Sequence, residues 1–219
     1  MKSTARLKKL RRYYKNEENM KITTGKGDTG TAGLLNGTRI LKSDHQIEAV
    51  GDIDELNSAL GVLQAVFPES EKGTLEEINT IQSDLLHMGA WVATPRTSPS
   101  LQNLEGIDDK DITYLESAID RMDSLLPPLK GFILPKGNLA ASWSHLARTI
   151  CRRAERHVVR LSVQTALGNK PKHLANILKY LNRLSDYLFV LARYCNHMLD
   201  RRDSIWETSR RVSNPDNIK

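Results

Sequence analysis

Apolar residues return at alternating steps of three and four in five successive stretches of this sequence. Ile53, Leu56, Leu60 and Leu63 form the first; Leu75, Ile78, Ile81, Leu85 and Met88 the second; Ile112, Leu115, Ile119 and Met122 the third. Ala147, Ile150, Ala154, Val158 and Leu161 form the fourth, and Leu174, Ile177, Leu181, Leu184, Leu188, Leu191, Cys195 and Met198 the fifth. Such spacing keeps each set on one stripe of an α-helix. The sustained seven-residue pattern of the fifth suits the nearly aligned packing of a bundle. Breaker residues separate the stretches: Pro68 with Gly73, TPRTSPS at 94 to 100, Pro127 with Pro128, and GNKP at 168 to 171. Strict two-residue alternation is scarce. The pattern predicts an all-α fold, a five-helix bundle over residues 20–200 preceded by an extended glycine-rich segment. A basic, poorly ordered extension over 1–19 and a charged tail over 201–219 flank it.

The net charge of +6 is unevenly placed. Lys2, Arg6, Lys8, Lys9, Arg11, Arg12 and Lys15 stand in the first fifteen residues with no acid among them, so the rest of the chain sums to −1. The body therefore lacks the basic surface of a helical RNA binder, and no nucleic-acid partner is expected. The basic start reads as a solvated extension, with RNA, an anionic surface or a targeting receptor as alternative contacts. It is also compatible with a short organellar targeting segment, although serine is sparse. Met20 could be an alternative start. No apolar run approaches the ~20 residues that span a bilayer, and no signal-peptide pattern is present, so a cytoplasmic protein without a membrane partner is expected. Cys151 and Cys195 lie within helical patterns and lack metal-type spacing; they read as reduced core thiols.

Three places carry candidate chemistry. KITTGKGDTGTAGL, residues 21 to 34, sets Gly25, Gly27, Gly30 and Gly33 around lysine and aspartate. Its backbone amides could converge on an anion, or it could be a plain glycine-rich turn; the Walker A spacing is absent. HLARTICRRAERHVVRL, residues 145 to 161, puts Arg148, Arg152, Glu155, Arg156 and His145 on the arc opposite its apolar stripe. Arginine forks suit phosphate, and an interleaved glutamate can orient them or accept a ribose hydroxyl. A solvated face laced by ion pairs is the alternative. Asn182 and Asp186, in LNRLSDYL, lie off the leucine seam and are expected to be partly buried, in need of partners. Asp52, Asp54 and Glu55 read as acids near a helix start; no histidine joins them at ligand spacing, and no metal site is expected.

Taken in order, TTGKGDTGTAGL, RILKSD, VGDIDELNSALG, FILPKGN, HLARTICRRAERHVV and YLNRLSDYLFVLAR resemble the trimeric ATP:cob(I)alamin adenosyltransferases. The resemblance covers most of residues 21 to 196. It implies a homotrimer with active sites between neighbouring subunits, and a reaction in which Co(I) of reduced cobalamin, or a related corrinoid, attacks the 5′-carbon of ATP. Adenosylcobalamin and triphosphate are the products. By position it implies that Thr24, Gly27 and Asp28 line the nucleotide site and that Lys42 reaches the phosphates. Arg152 and Arg156 would be the triphosphate clamp, Glu155 its organiser and Asn182 a further nucleotide contact. Asp54 matches a carboxylate that pairs across the subunit interface with the arginine matched by Arg148. Phe132 matches the aromatic that excludes the lower axial ligand of the corrinoid, and Asp186 falls on a position needed for activity. Mg²⁺ accompanies ATP; a cobalamin reductase and an adenosylcobalamin-dependent acceptor enzyme are the implied partners. A catalytically weak relative that binds ATP and adenosylcobalamin for delivery or sensing is the alternative reading.

The sequence departs from the family pattern at three points. Gly25 and Lys26 displace the loop lysine by one position from the usual Thr-Lys-Thr-Gly-Asp. Pro135-Lys136-Gly137 replaces Pro-Gly-Gly, placing a long cation near the expected corrinoid entrance, and the connection from Leu161 to Leu174 is longer than usual.

Overall fold

A computed structural model describes residues 23–95, 98–164 and 172–206. The basic extension over 1–19, most of the charged tail, and the GNKP break with the connection around it lie outside the described residues.

The glycine-rich segment, expected to be extended, includes a small antiparallel ribbon. Strand β1 (Thr31–Gly33) pairs with β2 (Arg39–Leu41), Ala32 opposite Ile40. Gly37 has φ +85° in the connecting turn, where a β-carbon would be strained. The ribbon then runs into helix α1 (His45–Ala65), whose N-cap Asp44 accepts a hydrogen bond from Gln46 N–H at 2.8 Å. The helix thus begins earlier than the acids suggest: Asp52, Asp54 and Glu55 stand well past its first turn, beyond the reach of the dipole argument.

Helix α2 is Lys72–Val92, and a 3₁₀ turn follows at Pro99–Asn103. Helix α3 (Asp109–Asp123) opens on a capping box in which Asp108 and Asp111 satisfy each other's backbone amides. Helices α4 (Leu139–Gln164) and α5 (Lys172–His197) are the longest. Asn138 starts α4 by accepting from Ala141 N–H at 2.9 Å.

Helix α4 packs on both α1 and α5, α2 lies against α1, and α3 against α5. The small residues Ala140, Ala141, Ala147 and Ala154 on the buried face of α4 let its neighbours approach closely, which explains its central place. Ile53, Leu56, Leu60, Leu63, Ile78, Ile81, Leu85, Met88, Leu181, Leu184, Leu188 and Leu191 fill one continuous core, while Leu75, Ile119, Leu161 and Met198 sit at its margin. The five-helix bundle expected from periodicity is present.

A polar seam crosses this core. Tyr180, Tyr187 and Tyr194, seven residues apart on α5, donate to Asp84 and Glu77 of α2 and to Glu71, which precedes its first residue, at 2.9, 3.1 and 3.0 Å. Burial, reinforced by these carboxylates, pushes the phenols of Tyr180 and Tyr187 well above the usual tyrosine range. The described end of the C-terminal segment also engages the bundle: Leu134 N–H donates to Ser204 C=O at 2.8 Å.

Candidate functional site

The glycine-rich loop is held from its own ribbon. Arg39 of β2 donates from Nε to Thr31 Oγ1 at 3.1 Å, and its second terminal nitrogen reaches Thr31 C=O at 2.9 Å and Lys26 C=O. Asp28 N–H donates to Gly25 C=O at 3.2 Å and Gly30 N–H to Gly27 C=O at 3.1 Å, so the loop is two consecutive tight turns. Gly25 and Gly30 adopt φ +65° and +78°. Lys42, one residue beyond β2, lays its ammonium over Gly27: a β-carbon there would meet Nζ at 3.2 Å. Thr24 Oγ1 accepts from Lys26 N–H at 3.4 Å. Thr24, Gly27, Asp28 and Lys42 therefore share one loop cluster. Arg39, which braces it, lies within the RILKSD stretch but was not singled out in the sequence; an adjacent pocket of about 620 Å³ is lined by Thr31, Arg39, Asp44 and His45.

The second cluster lies between α4, α5 and α3. Arg152 stands 3.6 Å from Glu155, and Arg156 donates to Arg152 C=O at 2.9 Å. Glu155 accepts from Asn182 Nδ2 at 3.3 Å. Arg183, missed in the sequence, donates to Glu116 of α3 at 2.8 Å and to Asn182 Oδ1 at 3.4 Å, and its guanidinium stands 3.9 Å from Asp186. A pocket of about 540 Å³ opens here, with Glu116, Glu155, Asn182 and Arg183 on its wall. Asn182 is half-buried as expected, but Asp186 is exposed: it sits where the α5 face turns to solvent. His145 leaves the arginine face as well. Near the start of α4 its arc is covered, and the ring packs edge-on against Phe189 at 6.2 Å. Burial and the nearby Arg148 hold its pKa below the ordinary histidine value.

Arg148 and Asp54 do not meet within one chain. Arg148 keeps Nε buried with no hydrogen-bond partner among the described residues, while Asp54 is exposed on α1. The neighbouring acids are engaged internally: Asp52 Oδ1 accepts from Arg153 Nε at 3.1 Å, its Oδ2 lies 2.5 Å from His157 Nδ1, and Glu55 pairs with Arg153. Sequence spacing gave no sign of His157 because it belongs to another helix. Among the described residues, no group of three or more His, Cys, Asp or Glu side chains is arranged to hold a metal ion.

Phe132 stands on the segment between α3 and α4 and is 81% exposed, its ring edge-on to Trp206 at 6.5 Å. Both cysteines are buried and unpaired; burial pushes the Cys195 thiol up to about 12 and Cys151 higher still, so neither is a thiolate nucleophile at neutral pH. No hydrogen bond or ion pair among the described residues joins the loop cluster to the arginine cluster in one chain.

A family profile described as cobalamin adenosyltransferase matches residues 22–195. The chain is 44% identical over 176 residues to the corrinoid adenosyltransferase MMAB of Bos taurus, covering 80% of this chain and 70% of that protein. It is 38% identical over 192 residues to a cobalamin adenosyltransferase of Cupriavidus metallidurans, covering 87% and 96%. Its fold resembles a variant PduO-type ATP:corrinoid adenosyltransferase from Lactobacillus reuteri complexed with cobalamin and ATP. The TM-score is 0.77 at 33% identity, over 85% of this chain and 99% of that one.

Proposed function

Because the chain belongs to the cobalamin adenosyltransferase family, we propose an assignment of its residues to the work of an ATP:corrinoid adenosyltransferase. The enzyme transfers the 5′-deoxyadenosyl group of ATP to the Co(I) centre of reduced cobalamin or a related corrinoid. A cobalt–carbon bond forms as the bond from the 5′-carbon to the triphosphate oxygen breaks, and triphosphate departs with the bonding pair. The substrate's cobalt is the nucleophile, so no activated side chain is required of the protein. Its tasks are to place the 5′-carbon over cobalt and to stabilise charge on the leaving triphosphate.

The observation that carries the assignment is the arginine cluster. Arg152 and Arg156 stand one turn apart on an exposed face, with Glu155 fixed by Asn182. That arrangement offers guanidinium forks to phosphate oxygens and an oriented carboxylate to the nucleoside. Thr24, Gly27, Asp28 and Lys42 form the loop side of the same nucleotide site. Asp186, through Arg183, tethers the cluster at its outer edge. Mg²⁺ would enter with ATP and neutralise part of the phosphate charge; Asp28 is the loop carboxylate suited to approach it, while the arginines would meet phosphate oxygens rather than the cation. Phe132 presents an exposed ring suited to a flat macrocycle and would occupy the space that a lower axial ligand needs.

The two clusters are separate within one chain, which supports a homotrimer whose neighbouring subunits each supply one half of a site. Arg148, whose buried Nε has no hydrogen-bond partner among the described residues, and the exposed Asp54 would form the seam between them. Unpaired buried thiols support a reducing, cytoplasmic setting. A reductase delivering Co(I) and an acceptor enzyme consuming adenosylcobalamin complete the proposed partners.

An anaerobic assay with chemically reduced cobalamin and MgATP, following the corrinoid spectrum and triphosphate together, tests this reading. Equal amounts of adenosylcobalamin and triphosphate are expected. ATP binding without triphosphate release would reject turnover and favour a delivery or sensing role, with Lys136 the first residue to revert to glycine.

A further inference from the structure

The chain does not leave the bundle after α5. Asp200 takes a left-handed φ of +52°, and Asp200 and Arg201 N–H donate back to His197 and Asn196 C=O, turning the chain sharply. Residues 203–206 then run beside 132–134. Trp206 N–H donates to Phe132 C=O at 2.7 Å, and Ile205 forms an antiparallel bridge with Ile133. Beneath this ribbon sits Arg193, near the end of α5 and only 4% exposed. Its Nε donates to Asp203 at 2.7 Å, a terminal nitrogen donates to Pro127 C=O at 2.6 Å, and the other lies 3.6 Å from Asp123.

One guanidinium thus reaches the last residue of α3, the start of the segment bearing Phe132, and the strand that brackets it. Asn196 fastens the exit of the same segment, accepting from Asn138 N–H at 3.1 Å and donating to Lys136 C=O at 3.3 Å. A planar fork satisfies three oxygens at fixed angles in a way that a single ammonium does not. Phe132 has no comparable support of its own among the described residues, where its ring is exposed and meets the Trp206 ring as its one aromatic neighbour.

We infer that Arg193 is a positioning residue for the corrinoid side of the reaction, acting through Asp203 and Pro127 to set where Phe132 stands. The inference rests on the reading that Phe132 faces the corrinoid. Arg193 is buried behind the segment and meets no substrate itself, so its effect is on placement, and it falls on one substrate: the ATP-side clusters are built on other residues.

The test uses the full-length protein and the reduced-cobalamin assay, varying each substrate in turn. Arg193→Lys keeps charge but loses the fork; Asp203→Asn keeps shape but loses charge and serves if the first variant folds poorly. Both should raise KM for cobalamin or lower kcat by on the order of tenfold, as displaced reacting groups do, with KM for MgATP within about twofold of the parent. In a Phe132→Ala background Asp203→Asn should add nothing further. Wild-type constants in a folded Asp203→Asn variant, parallel loss of affinity for both substrates, or an additive loss in the Phe132→Ala background would overturn the inference. Phe132→Ala that transfers to cobalamin at the parental rate would instead reject the Phe132 reading, and this inference with it.

Discussion

Arg152 is the residue on which the nucleotide assignment depends most. Its guanidinium is half exposed and its ion pair with Glu155 is long, at 3.6 Å, so little of its charge is spent inside the fold. Arg153, its neighbour in sequence, is the opposite case: it is engaged by both Asp52 and Glu55 of α1, and those carboxylates raise its pKa. Of two adjacent arginines, Arg153 is thus tied into the scaffold, while Arg152 is left for the ligand role proposed for it. Arg152→Ala should lower kcat by on the order of 10²-fold or more, as loss of a donor aimed at developing charge does. Helix content by circular dichroism should be unchanged, since no core contact is removed. Parental turnover by this variant would withdraw the clamp. Arg153→Ala should instead reduce stability, measured by the urea midpoint, because it strips the partially buried Asp52 of its cation.

The elements are held in register by the α5–α2 tyrosine seam as well as by the leucines. Asp84 is 1% exposed and receives the Tyr180 hydroxyl, so Tyr180→Phe should cost about 1.5–3 kcal/mol, the range for hydrogen bonds to charged groups. Tyr187→Phe should cost less, because Glu77 retains both bonds from Arg121 at 2.9 and 3.0 Å. The seam also sets a pH dependence. Folding raises the pKa of these phenols, so the folded state holds their protons more tightly than the unfolded chain. Their contribution is complete below the unfolded value of about 10 and is lost as pH climbs through the folded values. Urea midpoints measured from about pH 8 to about pH 11 should fall steeply for the parent and less steeply for the triple Tyr→Phe variant. Equal slopes would deny the seam this role. The five helices were legible because a period of three and four survives in a linear string, whereas the seam was not: Tyr180 and Asp84 stand 96 residues apart, and no local pattern announces their meeting. The same limit hid Arg153 and His157 from Asp52, while Glu155 and Asn182 could be named from the family motifs yet not seen to touch until α4 lay on α5.

At the scale of the whole molecule, the proposed site falls into two parts within a single chain, and Arg148 Nε is buried with no hydrogen-bond partner among the described residues. A buried guanidinium Nε without an acceptor is costly, and protein interiors rarely tolerate it. Asp54 is exposed on α1 while its neighbours Asp52 and Glu55 are engaged by Arg153, so in the proposed trimer it is placed to serve another copy. A closed ring places the same surface of one subunit against a different surface of the next, which is what joining α1 of one copy to α4 of another requires. Arg148→Asp and Asp54→Arg, made singly, should each weaken assembly by about 3 kcal/mol or more per interface, the cost of breaking a buried pair. That corresponds to roughly a 100-fold loss in association constant. Combining the two reversals restores opposite charges at the same contact and should recover the proposed trimer, as light scattering across a dilution series would read. Activity should follow the oligomer if, as proposed, the loop cluster meets the arginine cluster across the ring. Single variants that remain trimeric on dilution, or a double variant no better assembled than either single one, would remove this pair from the interface and leave the joining of the two half-sites to other residues.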